Sequence, residues 1–201
     1  MSKLILEYPT GATPLDPDEI NGLIPSYVSS QGELNAAEQA NILKAVIWVE
    51  KVKKKKETLS EIFVRELHTR MFKDVWRWAG KYRLSDKSIG IDWKQIPESI
   101  VRLCNDAKFW IENKTYNWDE LGCRFHHRLV QIHPFANGNG RHARLMTDIL
   151  LSLHGVEKFS WGSKEHRESI DQPTVLRKTY IEALQEADRR NFSRLIEFVR
   201  S

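Results

Sequence analysis

From Leu34 to Val49 apolar residues fall on most faces of a run that contains neither Gly nor Pro, which predicts a largely buried helix. The run leads into Lys51, Lys53, Lys54, Lys55 and Lys56, charges that suit the negative end of a helix dipole. Thr58-Leu-Ser-Glu61 reads as a capping box opening a helix to about Phe72. The helical period lapses through Trp76–Arg83. Gly80 and Gly90 bracket residues rich in Ser, Ile and Tyr, and Lys81–Trp93 reads as a short β-hairpin. Pro97 starts a further helix ending near Asn113. Asn117 or Asp119 caps the next, on which Leu121, Phe125, Leu129 and Ile132 recur at helical spacing. After a break at Pro134–Gly140, Leu145, Met146, Ile149, Leu150 and Leu153 form another apolar stripe, closed by Gly155. Two or three C-terminal helices are expected over roughly Lys164–Gln172, Thr174–Ala187 and Asn191–Val199. Ahead of all these, Tyr8–Pro25 is rich in Pro and Gly and reads as an irregular surface arm. The expected product is an all-α bundle carrying one small hairpin, without internal repeats.

Composition narrows the class without choosing a function. The chain has 201 residues, enough for one domain with a sizeable core. With 41% hydrophobic and 29% charged residues it reads as globular rather than disordered. A net charge of +4 suits an anionic ligand or nucleic acid and demands neither. Two cysteines, Cys104 and Cys123, exclude a disulfide framework and a four-cysteine zinc site, and suit a reducing cytosol. No apolar run approaches the roughly 20 residues of a membrane span, and the apolar start is too short for a signal peptide. The expectation is a cytoplasmic protein with no membrane partner. The lysine run reads as a solvated helix end, so nucleic acid is not the expected ligand.

Chemistry concentrates in His133-Pro-Phe-Ala-Asn-Gly-Asn-Gly-Arg-His-Ala-Arg144, which lies between two helix patterns. Gly138 and Gly140 let backbone N–H groups turn inward at the start of the following helix, a ready anion site. Arg141 and Arg144 share one side of that helix's first turn and can clamp phosphates. His133 ends the preceding helix across the loop and can take a proton near neutral pH. A base, an anion cradle and two arginines describe a hydroxyl attacking phosphorus. Cys123, His126, His127 and His133 fall at helical spacing but lack a convincing fourth zinc ligand. Gly138-x-Gly140-x-x-Ala143 lacks the preceding strand that a dinucleotide fold needs.

The stretch resembles the Fic (filamentation induced by cAMP) signature H-P-F-x-(D/E)-G-N-G-R-x-x-R, matched by His133, Pro134, Phe135, Gly138, Asn139, Gly140, Arg141 and Arg144. Trp78-Ala-Gly-Lys-Tyr-Arg83 resembles the Fic lead-in to a target-docking flap. Gly11–Pro17 and Glu33–Asn41 resemble the subgroup called mobile mystery protein B. The resemblance implies an all-α, Fic-type helical bundle with a small β-hairpin flap. It assigns residues 1–57 to an N-terminal arm with an inhibitory helix and 58–201 to the Fic domain. It implies transfer of AMP from ATP to a Ser, Thr or Tyr hydroxyl of a target protein. His133 would be the base. Gly138, Asn139 and Gly140 would bind the α- and β-phosphates through backbone and amide donors, Arg141 the β-phosphate and Arg144 the γ-phosphate. Phe135 would anchor the loop in the core, and the hairpin around Ile89, Gly90 and Ile91 would add a strand to the target.

Asn137 departs from the signature, which carries an acid there for Mg²⁺ or Mn²⁺. An amide oxygen ligates Mg²⁺ without bringing charge, so weaker metal binding is expected. Many Fic proteins carry a brake, (S/T)-x-x-x-E-(G/N), and here Glu38 is the candidate, expected to pair with Arg144; Ser29-x-x-x-Glu33 fits the first half of the pattern, and Asn41 is a further residue able to reach the site. Two other readings stay open: transfer of another nucleotide or a phosphoryl group, and nucleotide binding without turnover as the regulatory partner of a DNA-binding protein. The subgroup's association with helix-turn-helix proteins on mobile elements, in toxin–antitoxin-like pairs, motivates the latter. Homo-oligomerisation is a further expectation from the resemblance.

Overall fold

Ser30 and Glu33 satisfy each other's backbone N–H groups and so start the longest helix. In the computed structural model, which describes residues 14–54, 57–165, 170–171 and 174–201, that helix is the second of eight. They are α1 (Pro17–Ile20), α2 (Gln31–Val52), α3 (Glu61–Phe72), α4 (Ile96–Glu112), α5 (Trp118–Ile132), α6 (Asn139–Leu153), α7 (Val175–Asp188) and α8 (Ser193–Arg200). No helix among the described residues is long and apolar enough to cross a membrane.

One core joins the N-terminal part to the centre of the chain. Leu34, Ala45 and Val49 of α2 pack with Phe63, Leu67 and Met71 of α3, Ile96, Ile100 and Leu103 of α4, and Phe125, Leu129 and Ile132 of α5. Each large apolar side chain so enclosed contributes about 1.5–3 kcal/mol. A second cluster around Leu151, Leu176, Tyr180, Leu195 and Phe198 seats α7 and α8 against the ends of α5 and α6.

Four expectations change. α2 is not buried on most faces: its enclosed residues, Leu34, Glu38, Asn41, Ala45 and Val49, form one stripe. Leu43 and Ile47 face solvent, at 62% and 51% exposure. The cap of α3 is Ser60, which accepts from the Phe63 N–H at 3.2 Å, and not Thr58. Glu57 holds the chain in an extra turn there, accepting from the Ser60 hydroxyl and the Leu59 N–H. Part of the arm is helical after all, because Asp16, Pro17 and Glu19 make a capped first turn for α1. The segment expected as Lys164–Gln172 lies partly outside the described residues. Within them, residues 164, 165, 170 and 171 are turn, and the Lys164 N–H is drawn to the Ser201 carbonyl.

The hairpin is the main correction. Residues 81–92 are not strands, and among the described residues the one β-bridge joins Leu23 to Trp76. The carbonyls of Ser85 and Ile91, which a hairpin could pair across its strands, instead accept from the Arg83 guanidinium. Asp86 takes the Trp93 N–H, and Lys87 is drawn down to Asp16 and Glu19 of the α1 turn. The flap is a side-chain-braced loop.

Candidate active site

α5 stops at His133 because that residue is left-handed, at φ 52 and ψ 61. Such a conformation costs a non-glycine residue about 1–2 kcal/mol. It turns the chain back so that Pro134–Gly138 loop over the start of α6. Phe135 anchors the loop. It is fully enclosed and stacks on His68 at 3.7 Å between ring centres. His68 Nε2 in turn donates to the Asn137 carbonyl at 3.1 Å, while its Nδ1 accepts from the Gly80 N–H.

Gly138 caps α6 at φ 78, and a Cβ there would stand 2.5 Å from the Phe72 ring, so no other residue fits. It offers no side-chain acceptor to the first turn. The first backbone bond within α6 is His142 N–H to the Gly138 carbonyl, so the N–H groups of the opening turn face the loop. Asn139 lines the cavity. Both amide atoms close on the Phe135 backbone at 2.8 and 2.9 Å, which makes this side chain a brace for the loop.

Both arginines are held by carboxylates of the chain. Arg141 Nη1 lies 2.7 Å from Glu38 Oε2, while the other Glu38 oxygen accepts from Trp76 Nε1 at 2.7 Å. Arg144 Nη2 lies 2.6 Å from Asp171 Oδ1. Glu38 therefore meets the first arginine of the pair and not Arg144, as the sequence suggested. Glu38 reaches Arg141 in the opening turn of α6, while Arg144, three residues on, pairs with Asp171. Burial opposes ionisation of Asp171, but Arg144 and Arg141 more than offset it and hold its pKa below the usual carboxylate value.

Burial, reinforced by the charges of Arg83 and Lys87, pushes the His133 imidazole down to about 4, so it is neutral near pH 7 and able to accept a proton. Asn137 Oδ1 accepts from the Gly138 N–H at 2.5 Å and lies 3.5 Å from Arg141 Nη2. No group of three or more His, Cys, Asp or Glu suited to a metal occurs among the described residues. The histidines of α5 have other partners: His126 meets the Tyr180 hydroxyl at 2.9 Å and His127 meets Asp188 at 2.8 Å.

Every residue singled out from the sequence borders one cavity of about 1290 Å³: Glu38, Ile89, Gly90, Ile91, His133, Asn137 to Arg141, and Arg144. Residues that periodicity did not single out complete it. Trp161, Tyr180, Ile181 and Leu184 give it an apolar wall next to Arg144. Asp148, pushed up to about 6 by burial, accepts from Trp161 Nε1 at 3.1 Å in that wall. Asp171 and Arg177 close the same side. None of these belongs to a compact motif, so only folding brings them to the arginines.

A neutral base, inward-facing N–H groups and two arginines around one cavity are the equipment of proteins that handle phosphate esters. Residues 58–151 match the model of the Fic/DOC family. It is 29% identical over 143 residues to the protein adenylyltransferase Fic of Aedes aegypti, covering 69% of this chain and 27% of that one. The chain thus spans about a quarter of the length of such curated relatives. Its fold is similar to Fic-1 of C. elegans, with a TM-score of 0.68 at 19% identity over 89% of this chain and 51% of that chain. It is also similar to BepC of Bartonella tribocorum, solved with bound AMPPNP, with a TM-score of 0.64 at 16% identity over 92% and 97%.

Proposed function

We propose that the protein is a protein adenylyltransferase, moving AMP from ATP onto a Ser, Thr or Tyr hydroxyl of a target protein. The observation that carries this reading is the neutral His133 facing, across the Pro134–Gly138 loop, the uncapped start of α6 with Arg141 and Arg144. The adenylyltransferase name of relatives and the AMPPNP bound to BepC support it.

In this reading the imidazole takes the proton of the target hydroxyl as its oxygen attacks the α-phosphorus. The bond to the bridging oxygen breaks and pyrophosphate leaves. The α6 N–H groups and the two guanidiniums stabilise the charge that develops on the phosphate oxygens. Tyr180, Trp161 and Leu184 form the apolar wall for the base of the nucleotide. The exposed loop at Ile89 and Gly90 borders the cavity and receives the target segment. A divalent cation enters with ATP as part of the substrate. The protein offers it the Asn137 amide oxygen, already shared with the Gly138 N–H, so phosphates and water supply most of its ligands.

Glu38 is the brake in this reading, occupying the Arg141 guanidinium that the β-phosphate needs. The test is label transfer from α-labelled and γ-labelled ATP in lysate, with Mg²⁺ and Mn²⁺, for wild type, Glu38→Gly and Glu38→Gly with His133→Ala. Transfer of α-label only, raised by Glu38→Gly and abolished without His133, is expected. Binding of ATP with no transfer from any variant would favour a nucleotide-binding regulator, which the commitment of Asn137 and of both arginines within the chain also fits.

A further inference from the structure

Arg83 is enclosed, with no exposed side-chain surface, yet its donors are spread over two separate pieces of backbone. Its Nε donates to the His133 carbonyl at 2.8 Å. Nη1 donates to the Ser85 carbonyl at 2.7 Å. Nη2 donates to the Ile91 carbonyl and, at 3.5 Å, to that of Ile132. Its own N–H donates to the Pro134 carbonyl at 3.0 Å. The carboxylate of Asp86 is 3.7 Å away and 70% exposed, so this ion pair contributes little. A buried cation needs every donor satisfied, and here backbone carbonyls do it. The planar guanidinium reaches carbonyls on two segments at once, which the single ammonium of lysine cannot reproduce.

The two segments are the end of α5 with His133 and the flap at Ser85 and Ile91. They also touch. A Cβ on Gly90, at φ 110, would stand 2.7 Å from Arg83 Nη2 and 2.9 Å from His133 Cβ. The left-handed turn at His133 is thus fixed from its carbonyl by Arg83 and covered by Gly90.

We propose that Arg83 is a positioning residue that locks the His133 backbone and the flap into one unit, so that the base and the target-docking edge are set together. This rests on the reading of His133 as the base. Arg83 itself does not line the cavity. Its charge also bears on the imidazole: after burial, Arg83 is the largest influence lowering the His133 pKa, with Lys87 acting in the same sense.

Three variants test it: Arg83→Lys, Arg83→Met and Gly90→Ala. ATP affinity is measured by calorimetry without target, transfer as kcat and target KM, and His133 protonation by NMR of labelled imidazole. For Arg83→Lys, ATP affinity within about twofold of wild type and transfer lower by about 100-fold are expected, since small misplacement of a base is costly. Its His133 pKa stays near the wild-type value because the charge remains. Arg83→Met loses transfer equally, and its His133 pKa rises by about one unit. Gly90→Ala loses transfer with Arg83 intact. Should Arg83→Met fail to fold, the other two decide. Wild-type transfer in Arg83→Lys and Gly90→Ala, or an unmoved His133 pKa in Arg83→Met, overturns the proposal. Absence of transfer from wild type, with His133 resonances shifted in the variants, would instead refute the assigned reaction and leave the lock standing.

Discussion

Glu38 and Arg141 stand 103 positions apart in the chain and 2.7 Å apart in space, and the carboxylate is only 7% exposed. Trp76 fixes the other oxygen, so Glu38 is aimed rather than merely attracted. A phosphate approaching Arg141 must displace a buried, doubly bound carboxylate.

Glu38→Gln keeps an acceptor for Trp76 and removes the charge facing Arg141. ATP affinity is expected to rise by about tenfold, equivalent to about 1.4 kcal/mol. Calorimetric titration with ATP checks this; unchanged affinity would show that the contact does not compete with nucleotide.

Asp171→Asn frees Arg144 in the same way but from the opposite wall. Asp171 is 40% exposed, so the pair is partly screened and the gain in ATP affinity is expected to reach about fivefold at most. The variant without nucleotide should melt lower, because buried Arg144 loses its counter-charge. Thermal melting with and without ATP separates the two effects.

Acid should weaken the fold above the usual carboxylate range. Burial lowers the pKa of His68, His126, His133 and His142, to about 3 for His126 and about 4 for His133 and His142. Unfolded, each titrates near 6.5. Between these values the unfolded chain binds protons that the folded chain refuses, so stability is full above about pH 6.5 and falls toward about pH 4. Asp148, raised to about 6, opposes this, since its folded form takes up a proton in the window, against four imidazoles among the described residues. Urea midpoints should drop between about pH 7 and about pH 5. Transfer should show no acid limb near 6.5, because His133 is already neutral there.

Gly138→Ala meets two obstacles, a positive φ and the Phe72 ring at 2.5 Å. A loss of about 2–4 kcal/mol in stability is expected. The double variant Gly138→Ala with Phe72→Leu should recover part of it by making room. Denaturant unfolding of both variants checks the coupling.

The sequence made the helices and the loop readable because their signals are local. Apolar spacing on α5 and α6, the proline opening α4 and the glycines beside His133 each act within a few residues. The flap was misread for the same reason. Ser, Ile and Tyr between two glycines carry strand propensity, but the carbonyls of Ser85 and Ile91 bond to one buried guanidinium. That outcome depends on α5 ending where Arg83 can reach it. Likewise Glu38 was legible as a candidate brake, while its pairing with Arg141 rather than Arg144 depends on tertiary placement, with Asp171 taking Arg144. Asp148, Trp161 and Asp171 were not legible because nothing near them in the chain marks them as neighbours of an arginine.

The shared core of α2 with α3, α4 and α5 has a practical consequence for anyone trimming the chain. A piece cut to residues 58–151 would strip Leu34, Ala45 and Val49 from the faces they cover, and would remove Asp16 and Glu19 from beneath Lys87. The stretch that carries the signature therefore shares its core with residues on both sides of it in the chain. Shortened versions should keep the chain from Leu15 onward, or they will yield a sticky, half-dressed bundle whose silence in an assay says nothing about its chemistry.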